Sequence, residues 1–354
     1  MKYYGVVYDI GYRVLGHGQS SVEPFDPALA RYDMAVISND LHANAVRIEG
    51  EDLDRLEIAS RAAHDAGLAV WFSPWKMNVG LEATKAYLND AAKIAQRLTA
   101  EGADIVFVVS CEYSIFSDGI YPGANIFERS AWVKKHFGAI DWPNTPEGLP
   151  DPLPEKARKL NEYLRTFVDT VREHFSGPLT YSAAIFEEVD WTMFDYAGPN
   201  YYRETQTDAE YAAGLAYFRS FGRPIGIPEF GCCAYEGAAE RGARGWRVIE
   251  QQHPDGTIRF ENGVVPVRSE TTQADYAERQ LRFFVDHGVE AAFVFQFNAP
   301  AHVHDTGSRD ADLGSYGMIK FPPKNDPGWQ DLPPWEPKEI FHRVAGVFRE
   351  LQSR

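Results

Sequence analysis

Several signals are missing from this 354-residue chain, and each absence excludes something. No run of Lys and Arg of the nucleic-acid-binding kind occurs, and the formal net charge is −16, which argues against DNA or RNA as a partner. No apolar run approaches the roughly 18–20 residues of a membrane span. The first residues, MKYYGVVYDIGY, lack a charged segment followed by a long apolar one, so they read as a strand rather than a signal peptide. Three cysteines (Cys111, Cys232 and Cys233) are too few for a disulfide framework. Adjacent cysteines bridge only with strain, so buried free thiols in a reducing, cytoplasmic setting are expected. Glycines in YDIGYRVLGHGQS do not follow G-x-G-x-x-G spacing, and neither a P-loop nor a serine-hydrolase nucleophile elbow is present. No Gly/Ser-rich or Pro-rich tract divides the chain and no tandem repeat is visible, so residues 1–354 are read as one domain.

What is present is alternation. Short β-rich runs take turns with helical patterns. The runs are Tyr3 to Tyr8, ANAVRIEG, LAVWFSPW, ADIVFVVSCEYS, PLTYSAA, FDYAGPNYYR, RPIGIPEF and EAAFVFQFN. Helices are expected over about Pro27 to His42 with Asp26 as N-cap, EDLDRLEIASRAAHDAG, Leu81 to Ala100, Pro154 to Phe175, Asp208 to Phe221, Gln273 to His287 and Pro337 to Leu351. Tyr113 to Pro152 reads as one long aromatic loop, and further long loops follow the seventh and eighth strands. Eight strand–helix units predict parallel strands closed into a (β/α)8 barrel.

In such a barrel the reacting groups stand at the C-terminal ends of the strands. Reading those ends in order yields Tyr8 and Asp9; Arg47 and Glu49; Trp71, Ser73 and Trp75; Cys111 and Glu112; Tyr181 and Phe186; Asn200, Tyr201 and Tyr202; Glu229; and Gln296 with Asn298. The seventh strand, GIPEF, is apolar until it stops on a carboxylate, and a buried charge is costly unless paired or used. Glu112 and Glu229 close strands four and seven, which face each other across a barrel mouth. Two carboxylates flanking a cleft are what glycoside cleavage requires, with an environment that keeps one protonated and the other ionised. Arg47 is in the right layer to hold Glu229 ionised, and Tyr202, in preference to Tyr201, to orient it.

Aromatics make up 14% of the chain, and sugar rings stack on aromatic faces. Trp71, Trp75, Tyr113 and Phe116 are the expected stacking residues, and Asp9, Asn200, Gln296, Asn298 and His304 the expected polar contacts to substrate. In HVHD, His302 and His304 lack a third partner in sequence, so no metal site is assigned.

A glutamate ending strand four and another ending strand seven, the second-strand VRI arginine, the sixth-strand tyrosine and the aromatic FVFQFN together resemble the clan A retaining glycosidases. That resemblance implies Glu112 as acid/base, Glu229 as nucleophile, a small carbohydrate or glycoside as substrate, and no cofactor. Most clan A families place Asn before the acid/base, where it binds the sugar 2-hydroxyl. Here that position is Cys111, as in some β-mannanase-like members that also lack the Asn, and the identity of the sugar is left open. The stretches FEEVDW, PEFGCCAYEGAAERGARGW, DLGSYGMIK and PPWEPKEIFH also resemble actinobacterial proteins labelled "abortive infection protein". Two alternatives to hydrolysis stay open: a cyclase, lyase or transglycosylase on the same frame, and a non-catalytic carbohydrate-binding or defence protein.

Overall fold

A computed structural model describes residues 1–137 and 151–353. In chain order the first half comprises β1 (Tyr3–Asp9), α1 (Pro27–Asn39), β2 (Ala45–Gly50), α2 (Leu53–Asp65), β3 (Ala69–Pro74), α3 (Leu81–Ala100), β4 (Ile105–Cys111), a single turn α4 (Tyr113–Phe116) and α5 (Ile126–Phe137). The second half comprises α6 (Leu153–Arg172), β5 (Leu179–Ser182), α7 (Asp208–Arg219), β6 (Gly226–Phe230), the hairpin strands β7 (Ile249–Gln252) and β8 (Ile258–Phe260), α8 (Glu270–Asp286), β9 (Ala291–Val294), the short pair β10 (Ile319–Lys320) and β11 (Glu336–Pro337), and α9 (Glu339–Gln352).

Seven strands form one parallel sheet in the order β5-β4-β3-β2-β1-β9-β6. Residues 195–201 fill the remaining place between β5 and β6. Ala197 bridges Ile225 and Pro199 bridges Ala183, both in parallel sense, and Gly226 N donates to Ala197 O at 2.9 Å. The chain therefore folds as a (β/α)8 barrel whose sixth position is irregular. Pro199 has no N–H to give a ladder, and a Cβ on Gly198 would lie 2.2 Å from the Tyr181 carbonyl, so this segment makes two bridges instead of a regular strand.

Every residue of β1, β2 and β4 is buried, as expected of strands covered on both faces. Alternate residues fall into two clusters. Tyr4, Val6, Ile48, Val70 and Phe72 pack toward the helices, whereas Tyr3, Val7, Ala45, Trp71, Val106, Val108 and Phe293 pack inside the barrel. Trp71 spans that interior: its ring lies 4.8 Å from Phe293 and 5.5 Å from Tyr196, and a Cβ on Gly226 would come within 2.4 Å of it.

Side chains set the helix starts. Asp26 caps α1 by accepting from Ala28 N, followed by Pro27, and Thr207 with Glu210 forms a capping box on α7. Helix α1 stops at Asn39, three residues short of the expected His42. The expected loop Tyr113 to Pro152 is a larger correction, because it contains α4 and α5; its residues 138–150 lie outside the described ones. Arg129 on α5 is fully buried and draws the mouth together, donating to Ile115 O at 2.7 Å, Asp118 Oδ1 at 2.7 Å and Asn78 Oδ1 at 2.6 Å. Long segments follow β4, β6 and β9, with the hairpin inside the second and β10–β11 inside the third.

Candidate active site

Glu229 is 6% exposed at the end of β6, and three donors converge on it. Arg47 Nη1 donates to Oε1 at 2.8 Å, the Cys111 thiol to Oε1 at 3.2 Å and the Tyr202 hydroxyl to Oε2 at 3.1 Å. Arg47 is in register with Val7 on β1 and Trp71 on β3, so its side chain enters the barrel interior and crosses to β6. It is wholly buried. Burial opposes its charge, but Glu49, Cys111 and Glu229 around it hold its pKa above the ordinary arginine value. Tyr201 points elsewhere: it stacks on Tyr211 at 4.3 Å and donates to Tyr211 O.

Glu112 sits just beyond β4 with φ 41° and ψ 47°, in the left-handed region that costs a non-glycine residue strain. The surroundings fix that conformation. Its N–H donates to Ser182 O at 2.7 Å and its carbonyl accepts from Ile115 and Phe116 at 3.1 Å. The buried Glu187 locks the next turn, accepting from Ser114 N at 3.0 Å and the Tyr181 hydroxyl at 2.8 Å, while that same hydroxyl accepts from Tyr113 N at 2.7 Å. The Glu112 carboxylate accepts from Asn200 Nδ2 at 2.9 Å, and Asn200 Oδ1 accepts from Ser182 at 2.7 Å. Burial first, and then the Glu229 charge, push Glu112 up to about 8. A chain of contacts, Glu112–Asn200–Cys111–Glu229, thus links the two carboxylates, with Asn200 Nδ2 3.8 Å from the Cys111 sulfur.

Of the other expected site residues, four stand at the mouth. Trp75 and Phe116 meet edge to face at 4.8 Å in a cluster that includes Met77 and Cys111, so they flank the carboxylates. Asp9 is also at the mouth, in register with Glu49, and burial pushes its carboxyl up to about 7. Gln296 is 6% exposed, and its Oε1 is buried without a donor.

The structure uses the remaining four for other purposes. Trp71 is 0% exposed and plugs the barrel interior, so it offers no face to a ring at the mouth. Tyr113, also 0% exposed, turns away and packs on Phe167 and Tyr163. Asn298 spends its amide on the Asp9 backbone, accepting from its N–H and donating to its carbonyl, both at 2.9 Å. His304 pairs with Asp310 at 3.2 Å. Together with Asp312 these two have ligand atoms within 4.8 Å of one another, but cations already occupy that cluster: Lys338 Nζ is 2.7 Å from Asp312 and Arg268 Nη2 is 2.8 Å from Asp310.

Sequence reasoning missed the roles of Cys111, Ser182, Glu49 and Tyr12 and gave Asn200 a different one. Cys111 was noted only as a departure from a pattern, yet its thiol touches Glu229; burial pushes that thiol well up, so it donates as S–H. Ser182 holds Asn200. Asn200 was expected on substrate hydroxyls and instead holds Glu112. Glu49 is 0% exposed with Oε2 2.9 Å from Arg47 Nη2. Its position two residues after Arg47 on a strand was the available signal, because alternate residues share a face. Tyr12, in the segment after β1, packs at a tilt against Trp75 with ring centres 5.1 Å apart and has no signal in sequence beyond being aromatic.

No protein-family profile matches the chain, and no curated protein matches it by sequence. Solved structures do match in fold. A GH113 beta-1,4-mannanase superposes with a TM-score of 0.60 at 15% identity, covering 100% of both chains. A beta-glycosidase from Pyrococcus horikoshii superposes at 0.56 and 10% identity over 98% of this chain and 94% of that one. The alkaline cellulase K catalytic domain superposes at 0.55 and 11% identity over 99% and 88%. The label "abortive infection protein" finds no support among these neighbours, which are named as glycoside hydrolases. Among the described residues, no helix is long and apolar enough to cross a membrane. What this chain shares with those three enzymes is the barrel fold.

Proposed function

We propose that this protein is a retaining O-glycoside hydrolase acting on a small carbohydrate or glycoside, with Glu229 as nucleophile and Glu112 as acid/base. One observation carries the reading. Two carboxylates at the ends of the fourth and seventh barrel strands are joined by contacts but sit in unlike surroundings. Glu229 faces a guanidinium, a phenol and a thiol; Glu112 has one amide and is held up at about 8. Unlike surroundings let one carboxyl donate a proton while the other attacks.

In the first step a Glu229 oxygen bonds to the anomeric carbon, the bond from that carbon to the leaving oxygen breaks, and the Glu112 proton passes to that oxygen. In the second, Glu112 takes a proton from water, whose oxygen displaces Glu229 from the same carbon. Arg47 and Tyr202 keep the Glu229 oxygens aimed, and Trp75 and Phe116 supply an aromatic wall. No cofactor enters these steps.

Aryl glycosides of both anomeric configurations test the reading. Glu229→Gln and Glu112→Gln should each lower kcat by roughly 10³-fold or more, as loss of a covalent nucleophile or general acid does. Azide should restore turnover in Glu229→Ala and release a glycosyl azide of inverted configuration. Full activity in either Gln variant, on a glycoside whose leaving group needs protonation, removes that residue from its role.

A further inference from the structure

A third carboxylate at the mouth has no part in these steps. Glu49 is fully buried, and its Oε2 lies 2.9 Å from Arg47 Nη2 without the alignment of a hydrogen bond. Among the described residues, neither Glu49 oxygen has any other donor. Arg47 therefore stands between two carboxylates, with Nη1 on Glu229 at 2.8 Å and Nη2 toward Glu49. Its Nε reaches only the Ser73 hydroxyl, at 3.4 Å. Water does not reach this guanidinium, which is 0% exposed. A buried charge that loses its partner is strongly destabilising. Yet Glu229, on the reading above, gives up its charge each time it becomes an ester.

We propose that Glu49 is a positioning residue that shares the Arg47 charge with Glu229 and becomes its sole counter-ion whenever Glu229 is neutral. The titratable groups around Glu49 are Arg47, Glu229, Asp9 and Glu112, with Tyr12 and Cys111 also within reach of its charge. Burial pushes Glu49 up to about 8, Arg47 pulls it down, and the negative charge of Glu229 pushes it up again. Neutralising Glu229 removes that push, and only the weaker pushes of Asp9 and of Glu112, ionised once it has protonated the leaving oxygen, are left against the pull of Arg47. Arg47 stays paired and fixed throughout.

The kinetic consequence rests on the glycosidase reading, but the charge sharing does not, so a double-mutant cycle on stability tests it without substrate. Glu229→Gln mimics the neutral state. Tm is measured for the full chain at pH 7, for Glu49→Gln, for Glu229→Gln and for the pair. Each single variant leaves Arg47 one carboxylate; the double variant leaves none. Its Tm should fall about 5 °C further than the sum of the two singles, the shift expected for an unpaired buried cation in a chain of this size. If the double variant does not fold, adding Arg47→Met removes the stranded cation and should restore folding. Additive losses, or failure of Arg47→Met to restore folding, overturn the proposal. A non-additive cycle in a protein that cleaves no glycoside supports the charge sharing and removes the glycosidase reading. An additive cycle in an active enzyme does the reverse.

Discussion

Asn200 offers the sharpest handle on the acid/base. Its Nδ2 donates to Glu112 Oε1 at 2.9 Å, and that bond favours the ionised carboxyl and lowers its pKa against burial and the Glu229 charge. Asn200→Leu removes the donor at similar volume. A hydrogen bond to a charged group contributes about 1.5–3 kcal/mol, and about 1.4 kcal/mol corresponds to one pH unit. The protonated acid can still accept at its carbonyl oxygen, so part of that energy is common to both forms and about one pH unit remains. The sign is fixed: Glu112 must be protonated to donate, so kcat/KM falls as pH rises through about 8, and the variant should hold its activity to about one pH unit higher. The assay is kcat/KM from pH 5 to 10 on two aryl glycosides. One carries a poor leaving group that needs the proton; the other, a dinitrophenyl glycoside, does not. Only the first should show the displaced alkaline limb. A limb that stays put, moves down, or moves equally for both substrates refutes the assignment of Glu112 as the proton donor.

Three further outcomes are expected. Tyr202→Phe loses the 3.1 Å bond to Glu229 Oε2 and should lower kcat/KM roughly 10-fold, about 1.4 kcal/mol, with Tm within about 2 °C of the parent. Trp71→Ala empties the barrel interior and should destabilise by about 3–5 kcal/mol, measured by denaturant unfolding; a loss below about 1 kcal/mol would mean that Trp71 is not the plug. Asp33 is fully buried between the Tyr8 hydroxyl and Trp335 Nε1, each at 2.9 Å, and burial raises it to about 7. An acid raised on folding contributes stability that is present below its unfolded pKa near 4 and lost as pH rises through about 7. Asp33→Asn should therefore flatten the decline of Tm between pH 5 and 7, and an unchanged slope contradicts the burial argument.

Much of the barrel was legible because its signals are local. Buried parallel strands read as short apolar runs, helices as amphipathic stretches, the first with Asp26 at its start, and Glu112 and Glu229 as carboxylates where such runs stop. The sixth strand was placed correctly in FDYAGPNYYR, but its regularity was not, because Gly198 and Pro199 act on hydrogen bonding to neighbours that only the closed sheet supplies. Helix α5 hid inside an aromatic stretch whose anchor, the buried Arg129, is satisfied by Ile115, Asp118 and Asn78.

From sequence alone came the alternation of elements and the identity of the residues at the strand ends. Tertiary structure decided which way those residues face and what they touch. Trp71 and Trp75 belong to one strand segment, yet one fills the interior and the other flanks the carboxylates, because depth along a barrel axis is a property of the closed sheet. Asn298 and Asn200 carry the same amide, and only their neighbours across the mouth assign one to the Asp9 backbone and the other to Glu112. Partners such as Arg47 and Glu229 are 182 positions apart in sequence. Closing the barrel brings them together, and desolvation there sets the protonation of Glu112 and Glu49, which no stretch of sequence encodes locally.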